Sequence, residues 1–106
     1  MEDYLVNFKD MEWQCPANGI RYKVFVNGNQ RIRLVEFSEG FVEEGWCTKG
    51  HAGYVLEGSL TTNFNGSLVT HKKGDICFIP EGEENKHKAV VGKGERALML
   101  LFEIIK

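Results

Sequence analysis

The feature that most constrains this chain is its punctuation. Nowhere does an apolar period of helical spacing persist for a dozen residues; short runs rich in β-branched and aromatic residues alternate with glycine and asparagine. Such a pattern builds antiparallel sheets that close into a sandwich or barrel. The runs read as strands are Arg21 to Val26, Arg31 to Phe37, His51 to Glu57, Ser59 to Phe64, Gly66 to His71, Ile76 to Ile79, Asn85 to Val91 and Arg96 to Glu103. Asn27-Gly28-Asn29 and Asn65-Gly66 supply the residues that tight hairpins need, because they tolerate positive φ. In Arg31 to Phe37 both alternating sets carry apolar residues, which suits a two-layered β structure. The unbroken run Ala97 to Phe102 predicts a central strand buried on both sides, with a buried helical turn as the competing reading.

Length and charge narrow the class. The chain has 106 residues and a formal net charge of −2, with 42% apolar and 26% charged residues. That is one ordinary domain, 1–106, able to bury a hydrophobic centre without disulfides. Basic residues are scattered, and Lys86-His87-Lys88 is too short to track a phosphate backbone, so no nucleic-acid partner is expected. No apolar run reaches the roughly 20 residues of a membrane helix, so no membrane partner is expected either. Cys15, Cys47 and Cys77 form no CxxC pair, which fits a reduced, cytoplasmic setting. Residues 1–16 are the least regular. Their Tyr4, Leu5, Phe8 and Trp13 suggest an N-terminal arm packed on the barrel or on a partner subunit.

Residues 40–87 carry the densest signals. Gly74-Asp75 precedes the apolar run Ile76-Cys77-Phe78-Ile79; Pro80 then ends that run because it has no N–H for the ladder. Gly82 follows two residues later. Upstream, Tyr54-Val55-Leu56-Glu57-Gly58 closes another run, and residues 59–73, with the Asn65-Gly66 turn inside them, separate the two clusters. Together these segments resemble the two motifs of the cupin superfamily, G-x5-H-x-H-x3-E-x6-G and G-x5-P-x-G-x2-H-x3-N. The resemblance implies an all-β, cupin-type barrel (a double-stranded β-helix or jelly roll) and a homodimer, as small members of that superfamily often form. It also locates four ligand slots, on Gly45, Cys47, His51 and Asn85, and none of them keeps its usual residue. The opening glycine is displaced as well: Glu39 fills its slot and Gly40 follows. The activity of metal-dependent relatives therefore does not transfer with the fold.

The residues themselves suggest a site. Positions two or four apart on a strand share a face, so Cys47 and His51 are expected to point into the barrel, and His87 to join Asn85 there. Cys47, His51 and His87 form a candidate thiolate–imidazole set for zinc, iron, nickel or copper, with a coordination position left open. The plainer reading keeps Cys47 as a small buried hydrophobe and each histidine as a hydrogen-bonding core residue. Strict alternation also brings Lys49 inward, unless a bulge at Gly50 turns it away. Lys49, His51, Asn85 and His87 are then a candidate ligand-binding set for a carboxylate or small polar metabolite. Glu57 and Trp46 border the presumed pocket. Cys47 as a nucleophile beside Lys49 and His51 is a third possibility, although no Asp or Asn at a recognisable spacing completes it. The leading expectation is a barrel that binds a small molecule with a transition-metal centre. A metal-dependent oxygenase or isomerase and a metal-free binding or sensor module are the alternatives.

Overall fold

The structure, a computed structural model, describes residues 4–105. Eight strands are formed among these residues: β1 (Gln14–Ala17), β2 (Ile20–Asn27), β3 (Gln30–Phe37), β4 (His51–Phe64), β5 (Ser67–Lys72), β6 (Ile76–Ile79), β7 (Lys88–Val90) and β8 (Ala97–Ile104). Helix is confined to two single 3-10 turns, Phe8–Asp10 and Glu83–Asn85. No helix among the described residues is long and apolar enough to cross a membrane. All ladders are antiparallel. The larger sheet runs β1-β2-β3-β8-β4, with β6 on the far side of the first part of β4. The second part of β4 crosses to the smaller sheet, where it pairs with β5 and β7.

That crossing replaces the two separate strands expected at His51 to Glu57 and Ser59 to Phe64. A bulge between Val55 and Glu57 shifts the register, and Gly58, at φ +76°, lets one long strand serve both sheets. A bulge bends the strand that contains it, which is how a flat ladder turns a barrel corner. A Cβ at position 58 would overlap the Arg96 carbonyl, so the crossing depends on glycine.

The barrel interior is filled by alternate residues of each strand. Val35 and Phe37 of β3, Val55 and Leu60 of β4, and Ala97, Met99 and Leu101 of β8 are buried together. The expectation that β8 is buried on both sides is corrected here. Its second set, Leu98, Leu100, Phe102 and Ile104, faces outward and is half-buried or exposed. The apolar run is continuous because one half of it lines the core and the other half coats the outside of the sheet.

Two further boundaries differ from the sequence reading. The irregular N-terminal arm contains β1, an edge strand on β2, and Trp13 stacks under the Arg21 guanidinium at 4.1 Å. The strand expected from Asn85 to Val91 is reduced to Lys88–Val90, because Gly82 (φ +137°) leads into the Glu83–Asn85 3-10 turn. Met1 to Asp3, part of the expected arm, lie outside the described residues.

Candidate metal centre

Cys47 and His87 face each other directly. Each backbone N–H donates to the other's carbonyl, at 2.8 and 3.0 Å. A residue pair that exchanges both bonds in an antiparallel bridge puts its side chains on the same side. His51 opens β4 and is paired with Ile79 of β6. Its imidazole turns toward the bridge, and Nε2 lies 3.7 Å from Cys47 Sγ. The candidate ligand atoms of Cys47, His51 and His87 all lie within 4.8 Å of one another.

Both imidazoles are held from behind. His87 Nδ1 donates to the Asn85 carbonyl at 3.0 Å. His51 Nδ1 stands 2.6 Å from Glu103 Oε2, an ion-pair contact more than a well-directed hydrogen bond. Glu103 is buried and is gripped in turn by Arg33, through Nε at 2.8 Å and Nη2 at 2.9 Å, and by Arg31 Nε at 2.9 Å. With Nδ1 of each ring engaged, the Nε2 atoms are left for the cluster. Ligand histidines are commonly fixed in this way by a carboxylate or carbonyl behind them.

The electrostatics follow from these contacts. The hydrogen bond from His51, then that from His87, pulls the Cys47 thiol down to about 6 despite partial burial. Burial alone would lower His51; the Cys47 sulfur and the Glu103 carboxylate overcome it and raise the imidazole to about 9. Glu103 is likewise opposed by burial, but His51 and Arg33 hold it well below the usual carboxylate range. Contact with Cys47 is the main influence raising His87. Between about pH 6 and about pH 9 these shifts favour a thiolate next to an imidazolium, backed by a buried carboxylate.

These groups open on a cavity of about 470 Å³ in the barrel. Val35, Phe37, Leu60, Met99 and Leu101 supply apolar wall, and Thr62 and Arg33 reach it as well. The exposed lining residues Ala17, Asn18, Val42 and Glu44 mark the mouth.

Of the residues singled out from sequence, Cys47, His51 and His87 come together and the others do not. The chain bends at Lys49 and packs Gly50 against Glu81, where a Cβ would come within 2.9 Å of the Glu81 amide nitrogen. Alternation stops there, and Lys49 lines a separate cavity of about 210 Å³ with Arg31, Glu81 and Glu103. Asn85 sits in the 3-10 turn and does not line the larger cavity; it contributes its carbonyl to His87. The parity expected to bring His87 inward with Asn85 therefore does not operate, and the bridge to Cys47 brings it inward instead. Glu57 is exposed beyond the bulge, 4.0 Å from Arg96. Trp46 is also outside the cavity, with the Lys88 ammonium 4.6 Å from its ring centroid. The proposed carboxylate-binding set of Lys49, His51, Asn85 and His87 does not assemble.

The sequence reading missed Glu103, Arg31 and Arg33. Their signal was parity: Arg33 shares a face with Val35 and Phe37, and Glu103 shares one with Met99 and Leu101. A charge on the core face of a strand needs a partner there.

No family model and no curated protein matches the chain. Solved structures do. The chain superimposes on the polyketide cyclase RemF from Streptomyces resistomycificus with a TM-score of 0.80 at 20% identity, covering 96% of this chain and 79% of that one. An RmlC-like cupin from Shewanella frigidimarina gives 0.77 at 20% identity, covering 99% and 94%. A sugar phosphate isomerase from a cupin superfamily, from Silicibacter pomeroyi, gives 0.79 at 15% identity, covering 96% and 76%. At such identities the likeness is one of fold.

Proposed function

The chain has the cupin barrel fold, and from that premise we propose that it holds a divalent transition metal on Cys47, His51 and His87 beside a small-molecule cavity. The observation that carries this reading is the convergence of three ligand atoms within 4.8 Å, with both rings held from behind. One thiolate and two imidazoles suit zinc, iron, nickel or copper and not magnesium or calcium. Held by these residues, such an ion would supply Lewis acidity. The chain's own residues do the rest. Glu103, braced by Arg31 and Arg33, orients His51; the Asn85 carbonyl orients His87; the apolar wall limits water around a bound molecule.

The fold neighbours include a cyclase and an isomerase, so an enzyme fits this barrel, but the reading assigns no reaction. A metal-free reading has one observation in its favour. Cys47, His51 and Glu103 stand in the order of nucleophile, base and orienting carboxylate.

Reconstitution with cobalt separates the two. Protein purified without chelator is expected to take up one equivalent of Co(II) and to show a thiolate charge-transfer band. His51→Ala should abolish both and leave the circular dichroism of the barrel intact, whereas His71→Ala should retain both. Wild-type protein that takes up no cobalt, zinc, iron, nickel or copper after reconstitution would sink the metal reading and put the metal-free one ahead.

Assembly is a second part of the proposal. Toward β8 and β6 the outer face of the larger sheet is apolar and exposed, and we infer that a second copy of the chain covers it, making a homodimer.

A further inference from the structure

The charged side chains that line the cavity are few and unevenly placed. We infer that the cavity takes a neutral, mostly apolar molecule carrying one oxygen at the buried end, and that it rejects molecules with an anionic far end. The buried end rests on the metal reading above; the selection at the mouth does not.

Two observations support this. First, outside the Cys47, His51 and His87 cluster the lining holds almost no free positive charge. Among the described residues Arg33 is the only lysine or arginine that reaches it, and its Nε and Nη2 are committed to Glu103. Lys49 lies in the other cavity, and Lys86 and Lys88 sit outside over Trp46. A buried phosphate or carboxylate needs a cation or several donors, and the mid-wall supplies chiefly hydrocarbon. Second, the mouth is acidic. Glu43 is pinned there, its Oε1 accepting from the Ala89 amide at 2.9 Å, and Glu44 lies beside it, exposed. Both line the cavity. A ligand whose outer end is anionic would bring its charge up to two carboxylates, whereas its polar atom at the inner end would find His51 and His87.

A matched pair of probes tests this on the whole protein. 2-Naphthol is neutral near pH 7 and carries one hydroxyl on an apolar body. 6-Hydroxynaphthalene-2-sulfonate has the same hydroxyl and ring with an anion at the opposite end. Binding is followed by probe fluorescence and calorimetry at low ionic strength, with zinc content measured on the same samples. The naphthol should bind, and the sulfonate should bind at least about tenfold more weakly. Glu44→Lys should close most of that gap by tightening the sulfonate. The inference is overturned if the sulfonate binds as tightly as the naphthol, if neither binds, or if Glu44→Lys leaves the ratio unchanged. Its failure is distinct from failure of the metal reading. Zinc-loaded protein without discrimination overturns the ligand class alone; protein that takes up none of cobalt, zinc, iron, nickel or copper on reconstitution yet discriminates overturns the metal centre alone.

Discussion

At the residue scale the centre depends on a group that is not itself a candidate ligand. Glu103 Oε2 lies 2.6 Å from His51 Nδ1, and the two arginines that grip Glu103 keep it ionised inside the barrel. Removing its charge leaves the His51 ring less well aimed and less basic. Glu103→Gln is therefore expected to weaken zinc binding by about 10- to 100-fold, measured by competition with a chromophoric chelator. The pH dependence has a definite sign. His51 keeps its proton up to about pH 9, and Cys47 loses its proton above about pH 6. Over that interval the metal must displace the His51 proton while the thiolate is already formed. His87, also raised, must give up its proton as well, so apparent affinity should rise with pH from about 6 to about 9 by about tenfold per unit or more, and fall more steeply below pH 6 as the thiol also protonates. An affinity flat across this interval would mean that His51 is not a ligand.

At the scale of elements, two glycines test the reading of the turns in different ways. Gly58 and Gly74 both have positive φ, at +76° and +92°. A Cβ at 74 would meet nothing within 4 Å, whereas one at 58 would run into the Arg96 carbonyl. Gly74→Val should cost only the backbone penalty, about 1 to 2 kcal/mol by urea denaturation. Gly58→Ala should cost about 3 kcal/mol or more, because the β4–β8 pairing must open as well. Equal effects would mean that the bulge is not the corner of the barrel. The two glycines also show how much was legible beforehand. Turns, strand order along the chain and the barrel follow from Gly58, Gly74, Pro80 and the asparagine-glycine turn, which are local rules. Cys47 and His51 were placed by their spacing from Gly58. The rest depends on pairing across the barrel: Lys49 turns away where the chain bends before Gly50, and His87 is carried inward by its bridge to Cys47. Glu103 reaches His51 from a strand 52 positions later in sequence, beyond any local rule.

At the scale of the molecule, the outside of the larger sheet remains to be explained. Cross-strand register aligns Phe25, Ile32, Phe102, Ala52 and Phe78 in one row, and Leu34, Leu100, Tyr54 and Ile76 in the next. The N-terminal arm covers the β2 end, where Trp13 lies against Arg21 and Lys23. Toward β6 the face is bare: Phe78 is 76% exposed, Ile76 72%, Ile104 58% and Phe102 47%. With Tyr54 these side chains leave on the order of 500 Å² of apolar surface in water, at the upper end of what a monomer ordinarily shows. A stable interface buries about 800 Å² per partner, which the half-buried Ile32, Leu34 and Leu100 beside the patch help to reach. A sheet face packs readily against its own copy about a two-fold axis, because each apolar row meets an apolar row. Ile76 and Phe78 point away from the core, so charges introduced there leave the barrel folded but must be buried, unpaired, if two copies associate. Ile76→Asp combined with Phe78→Asp is accordingly expected to convert a micromolar-stable dimer to monomer in sedimentation equilibrium, weakening association by at least about a hundredfold. Circular dichroism should be unchanged. A wild-type chain that sediments as a monomer at tens of micromolar, or a double variant that still dimerises, would remove this face as the contact between copies.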